Sequence, residues 1–159
     1  QMGIMSFENL CLRLKGYPND GLIEAVINAV TTRETSFFRD PHVFEALKEH
    51  LFPLLAKEAR ARGRSVRIWS AATANGQEAY SLAMLAYESM KSAPSSGTQR
   101  PPFALLASDI SRAALHNAET GIYDAREMAR GISPSRLAQF FRPEGNRYRV
   151  LSVLGSVID

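Results

Sequence analysis

Gly76 and Glu78 stand two residues apart at a strand-to-helix junction, and Asp109 ends a second apolar run 33 residues after Gly76. In doubly wound α/β folds, ligands bind at the carboxyl end of the first strand, and an acid after the second strand takes ribose hydroxyls. The usual interval is about 20 residues; here the polar connection KSAPSSGTQRPP accounts for the surplus. The turn Thr73-Ala74-Asn75-Gly76 holds one glycine where G-x-G-x-x-G needs three, so nothing in it favours a pyrophosphate. Free N–H groups at a helix start attract anions, but Glu78 just inside this helix repels phosphate. A ligand with a ribose, a base and a neutral or positive tail fits better. On residue type alone two plainer readings stay open. Glu78 is also an ordinary first-turn helix acid, and Asp109 an ordinary helix cap.

The elements that must position these residues follow from pattern. Val66 to Ala72 reads as a buried strand, and Gln77 to Met90 as a helix with Tyr80, Leu82, Ala83, Leu85 and Ala86 apolar. Phe103 to Ala107 is a second buried strand, and Ser111 caps a helix running to Asn117 or Glu119. Upstream, Phe7 to Lys15 reads as a short helix stopped by Gly16 and Pro18. Asn19 or Asp20 caps Gly21 to Val30, whose Leu22, Val26, Ala29 and Val30 share a face. Asp40-Pro41 is an N-cap and first helical residue, with Val43, Phe44, Leu47 and Leu51 on one face, a break or kink at Pro53, and a continuation from Leu54 to Ala61 that Gly63 ends. Downstream, Ser133-Pro134 starts a helix through Leu137 to Phe141, Arg142 to Arg147 is a polar turn, and Tyr148 to Val150 a strand. Trp69, Tyr80, Phe37 and Phe38 read as packing residues, and Cys11 as a small core residue.

The chain has 159 residues, 45% hydrophobic and 22% charged, enough for one domain with a real core. No apolar run approaches the roughly 18 residues of a membrane span. A single cysteine excludes an internal disulfide, and the three histidines share no ligand spacing, so no metal site is expected. These features favour the cytoplasm. The net charge of +3 permits an acidic partner without demanding nucleic acid. Only two strands of a parallel sheet are evident, where a free-standing doubly wound domain usually has about five or more. The expectation is therefore a front portion of a larger protein, with Gln1-Met2 foreign to it. An open sheet edge also predicts a homodimer or strand exchange.

Four collinear blocks carry a family resemblance: TTRETSFFRD (residues 31–40), RIWSAATANGQEAYSLAM (67–84), LLASDIS (105–111) and ALHNAETGIYDAREMARGISPSRLAQFF (114–141). They resemble, in order and spacing, the chemotaxis receptor glutamate methyltransferases, which use S-adenosylmethionine. The resemblance implies an α/β, Rossmann-like methyltransferase core with an incomplete sheet, preceded by a short helical segment. Residues 1–32 would be the remnant of an amino-terminal helical domain, and 33–159 the front half of the methyltransferase domain. It implies cofactor contacts at Thr35, Arg39, Ala72, Gly76, Glu78 and Asp109. Arg39 would take the cofactor carboxylate, Glu78 its cationic centre, and Asp109 its ribose, while Gly76 would let the backbone approach closely. The partner would be the cytoplasmic helical region of chemoreceptors.

The implied reaction esterifies a receptor glutamate. A glutamate side chain has a pKa of about 4.3, so the nucleophile is already ionised and no general base is called for. Alignment and exclusion of water are then the enzyme's task, and no residue is assigned a chemical role. A different class of function, a methyltransferase-like module that binds cofactor or receptor without turnover, also fits. Nucleic-acid methylation fits less well, without a basic-aromatic platform. The chain departs from the family pattern at Arg33, where asparagine is usual, and in its final LSVLGSVID. A later N-V-L-I-Y-F strand, the small β-subdomain and most of the helical domain are expected to be absent.

Overall fold

The computed structural model describes residues 4, 6–16, 19–32, 34–91 and 102–159. Two expectations, at Arg33 and in the connection at 92–101, fall outside these residues.

Strand β1 (Val66–Ala71) lies parallel to β2 (Phe103–Ser108), in register from Val66↔Phe103 to Ala71↔Ser108. The chain between them is helix α5 (Gln77–Lys91) and the connection after it, the crossover that parallel strands require. Residues 157–159 extend the sheet on the far side of β2. Leu105 N–H donates to Val157 O at 2.7 Å, and Asp159 N–H returns to Leu105 O at 2.8 Å. The LSVLGSVID tail is thus a short helix α9 (Ser152–Gly155) followed by the start of a third parallel strand.

Alternation along β1 and β2 sends Val66, Ile68, Phe103 and Leu105 into the core beneath α5, whose Ala83, Met84 and Ala86 are fully buried. The opposite face is bare. Trp69 is 67% and Leu106 44% exposed there, so the expectation that Trp69 packs fails. A central parallel strand is apolar on both faces because helices cover both, but here one layer is in place.

Upstream, α1 (Phe7–Lys15) buries no residue, and Cys11 on it is half-buried rather than core. Helix α2 (Asp20–Val30) starts at Asn19, whose Oδ1 accepts from Leu22 N–H at 2.8 Å. Only Leu22 of its expected face is buried, and Val30 is exposed. Helix α3 (Pro41–Ala46) widens into a π-helical turn at Leu47–Leu51 before α4 (Phe52–Arg62). Proline lacks an N–H and crowds the carbonyl four residues back. A π turn ahead of Pro53 absorbs that defect without ending the rod. The irregularity expected at Pro53 is therefore a π turn just ahead of it, and the helix continues to Arg62 with Gly63 as its cap.

After β2 come α6 (Arg112–Thr120), β3 (Ile122–Asp124), α7 (Ala125–Ala129), α8 (Pro134–Phe140), β4 (Phe141–Glu144) and β5 (Arg147–Val150). Ser111 caps α6 and Ser133 caps α8, as their positions predict. Strands β3, β5 and β4 form an antiparallel sheet in that order. This overturns two expectations. Arg142 to Arg147 is a hairpin rather than a plain polar turn, and a small antiparallel β unit is present where none was expected. Arg149 closes it, pairing with Glu144 and donating to Thr120 O at 3.0 Å. Among the described residues no helix is long and apolar enough to cross a membrane.

Candidate functional site

The loop after β1 is held in an uncommon shape. Ala72 and Ala74 both have positive φ, +58 and +50, and Gly76 has +88. Left-handed alanines cost free energy and persist only where neighbours impose them. Four bonds do so. Thr73 N–H donates to Ser108 O at 3.0 Å, and Ala74 N–H to the Asp109 carboxylate at 2.9 Å. Gly76 N–H donates to Thr73 O at 3.0 Å, and the Tyr123 hydroxyl to Asn75 O at 2.7 Å. Burial pushes the Tyr123 phenol well above its usual range, with Tyr80 and Glu127 adding to the shift, so this clamp stays protonated. Burial, then Glu119, raises Tyr80 likewise; its hydroxyl donates to Ala118 O.

Asp109 therefore does more than end β2. One carboxylate oxygen fixes Ala74, and the other accepts from Ser111 N–H at 2.8 Å. The cap of α6 is Ser111, not Asp109: Ser111 Oγ accepts from Ala114 N–H and donates to Asn28 of α2 at 2.6 Å. Each Asp109 oxygen keeps a lone pair for a further donor. Glu78, exposed in the first turn of α5, accepts from the Ser70 hydroxyl at 2.8 Å. Ser70 lies at the carboxyl end of β1, so Ala72, Gly76, Glu78 and Asp109 gather at one end of the sheet.

Gly76 has a packing role as well. A Cβ there would lie 2.7 Å from the Ala118 Cβ on α6, so glycine lets α6 pack against the loop. Two buried oxygens beside it, Thr73 Oγ1 and Gln77 Oε1, have no hydrogen-bond partner among the described residues. Their residues are 1% and 2% exposed. Buried polar atoms of this kind are normally satisfied, and a polar ligand at the loop is one means.

Thr35 and Arg39 belong to a separate segment that α5 holds. The segment 34–40 is anchored by Phe38 N–H, which donates to Ser81 Oγ at 3.0 Å, one turn beyond Gln77 and Glu78. Phe37 and Phe38 are buried, as expected. Thr35 is half-buried. Arg39 is exposed and folds back to donate to Glu34 O at 3.1 Å. Among the described contacts, none joins Arg39 to the loop directly. The expected six residues thus form one group of four and a second group of two, linked through α5. Sequence reasoning missed Ser70 and Ser81 as supports, and the bond from the capping Ser111 to Asn28, because each joins separate elements of the fold.

A family model for the CheR methyltransferase S-adenosylmethionine-binding domain matches residues 33–159. The chain belongs to the CheR methyltransferase family. The match runs through the last residue, so the LSVLGSVID tail falls within the CheR domain after all. The cofactor of this domain is S-adenosylmethionine. The chain is 38% identical, over its whole length, to "Chemotaxis protein methyltransferase Cher2" of Pseudomonas putida, of which it covers 57%. It is 39% identical to "Chemotaxis protein methyltransferase 1" of Pseudomonas aeruginosa, again covering 57%. Against "Chemotaxis protein methyltransferase" of Escherichia coli it is 33% identical, covering 51%. The chain spans about half the length of the curated relatives it matches. The fold matches too: CheR domains are Rossmann-like, and the parallel β1–β2 pair with its α5 crossover is the expected α/β unit.

Proposed function

We propose that this chain supplies the cofactor-binding part of a methyltransferase that esterifies glutamate side chains of chemotaxis receptors. The observation that carries it is the Asp109 carboxylate, tied to the strained loop after β1 inside a CheR domain. Asp109 offers its remaining lone pairs to ribose hydroxyls. Glu78 places negative charge at the loop, which suits a sulfonium and an ammonium. Arg39 offers a guanidinium fork to the amino-acid carboxylate, and Thr35 a hydroxyl beside it. Thr73 Oγ1 and Gln77 Oε1 gain partners when a polar ligand fills the loop. Bound S-adenosylmethionine supplies the methyl group, which passes to a carboxylate oxygen as the carbon–sulfur bond breaks onto sulfur. The receptor glutamate is ionised at neutral pH, so the chain's residues bind, orient and exclude water rather than move a proton.

Two organisational proposals accompany this reading. Residues 1–32 form a helical unit distinct from the methyltransferase domain that begins at 33, supported by α1, which buries nothing. The chain also associates with a second copy. The outer edge of β1 has no ladder partner among the described residues, and Trp69 and Leu106 stand bare beside it. Light scattering at high concentration is expected to give a dimer; a monomer removes this second proposal.

The activity is tested with radiolabelled S-adenosylmethionine and cytoplasmic receptor fragments. Label should appear on glutamate and be released by mild base, as an ester is. Base-stable label excludes the proposed reaction. Binding of S-adenosylhomocysteine without any transfer marks a binding module instead.

A further inference from the structure

We propose that Arg136 on α8 is a positioning residue, which sets the direction of Arg39 by clamping the turn that carries it. This rests on the reading of Arg39 as the partner of the cofactor's amino-acid carboxylate. Arg39 lies between two left-handed, non-glycine residues, Phe38 at φ +49 and Asp40 at φ +58. Such a turn relaxes to extended backbone unless its surroundings hold it. Asp40 gives no help, because as the N-cap of α3 it makes no side-chain capping bond. The hold comes through Phe38. Its N–H is fixed by Ser81 Oγ, and its ring lies under the Arg136 guanidinium, 3.6 Å from Cζ to the ring centroid.

Arg136 is itself locked. It donates from Nε and Nη2 to the two Glu88 oxygens at 2.7 and 2.9 Å, and both side chains are about one-fifth exposed. A planar guanidinium can stack on a ring and grip a carboxylate at once, which an ammonium cannot do as well. Ser81 and Glu88 are seven residues apart on α5, two helical turns along one face. That face therefore grips the Phe38 turn at two points, directly and through Arg136, while the first turn of the same helix carries Glu78. Loss of the upper grip leaves the Phe38 ring held by Phe44, 5.2 Å between centroids, and loosens the turn that carries Arg39, although neither Arg136 nor Glu88 belongs to the proposed cofactor contacts.

The test compares two ligands by calorimetry: S-adenosylhomocysteine and 5′-methylthioadenosine, which lacks the amino-carboxylate. Arg136→Ala should weaken the first by about tenfold, the scale of a modest misplacement of a binding group. The second should stay within about twofold, since its contacts lie elsewhere. Glu88→Gln, which keeps the shape and weakens the fork, should show the same selectivity to a smaller degree if Arg136→Ala folds poorly. Equal losses for both ligands, or none for either, overturn the proposal, because a merely structural residue does not distinguish them. Arg39→Ala is the reference. If it fails to discriminate between the ligands, the reading of Arg39 fails first; if it discriminates and the Arg136 and Glu88 variants do not, only the present inference is lost.

Discussion

Gly131→Ala is expected to lower the unfolding midpoint by roughly 6–12 °C, the largest loss of stability expected from one methyl group in this chain. A Cβ at 131 would lie 1.9 Å from the Phe37 carbonyl oxygen and 2.8 Å from its carbon. Both are backbone atoms and cannot turn aside as the tip of a side chain can. Phe37 is fully buried, edge-on to Tyr123 at 4.9 Å and to Phe141 at 5.7 Å between centroids. Any retreat of its carbonyl therefore opens that aromatic cluster. Position 131 also has φ +151, where residues with side chains are strained. Overpacking and backbone strain each cost about 1–3 kcal/mol. Taken together at about 3 kcal/mol, they give the quoted shift for a domain of this size. Scanning calorimetry of wild type and variant decides it; a midpoint within about 2 °C of wild type means that Gly131 is not the close contact it looks to be. Because the displaced segment carries Thr35 and Arg39, cofactor affinity should fall along with stability.

Asp109→Ala should weaken S-adenosylhomocysteine binding by on the order of 10²-fold or more, since hydrogen bonds to a charged acceptor are worth about 1.5–3 kcal/mol each. It should also destabilise the protein. The Ala74 and Ser111 N–H groups lose their acceptor together, and the left-handed loop is released. Asp109→Asn separates the two effects. Its one carbonyl oxygen can retain one of the two backbone donors, so stability should recover in part. An amide acceptor without charge restores little of the ribose affinity. Calorimetric titration and thermal unfolding of both variants give the comparison. Wild-type affinity in Asp109→Ala would remove the central residue of the proposed site.

The parts legible in the sequence were those fixed by short-range pattern. Val66 to Ala71, Gln77 to Lys91 and Phe103 to Ser108 form as their apolar runs and turn residues dictate. Asn19, Ser111 and Ser133 cap where their types suggest. Elements set by distant partners stayed hidden. β3 has three residues, β4 includes Pro143, and both exist only because β5 pairs with them. The role of Asp109 was half visible. Its place after β2 suggests the proposed ribose contact, but its bond to Ala74 spans 35 residues and leaves no local trace. The packing role of Gly76 left no trace in the sequence, because Ala118 lies on a helix whose approach no spacing reveals. Thr35 and Arg39 came from the family resemblance alone. Arg136 falls within the helix that Ser133-Pro134 starts, and Gly131 just before it, but what makes them matter is Phe37 and Phe38, far away in the chain.

Trp69 is the chain's single tryptophan, and its indole stands two-thirds in water while Nε1 donates to Ser108 at 2.9 Å, next to Asp109. The molecule thus carries one built-in fluorophore, on the exposed side of the sheet and close to the proposed site residue Asp109, the chain neighbour of its partner Ser108. Its emission belongs at the long-wavelength, solvent-quenchable end. Whatever settles over that side moves the band to shorter wavelength and shields it from quenchers, with no label added.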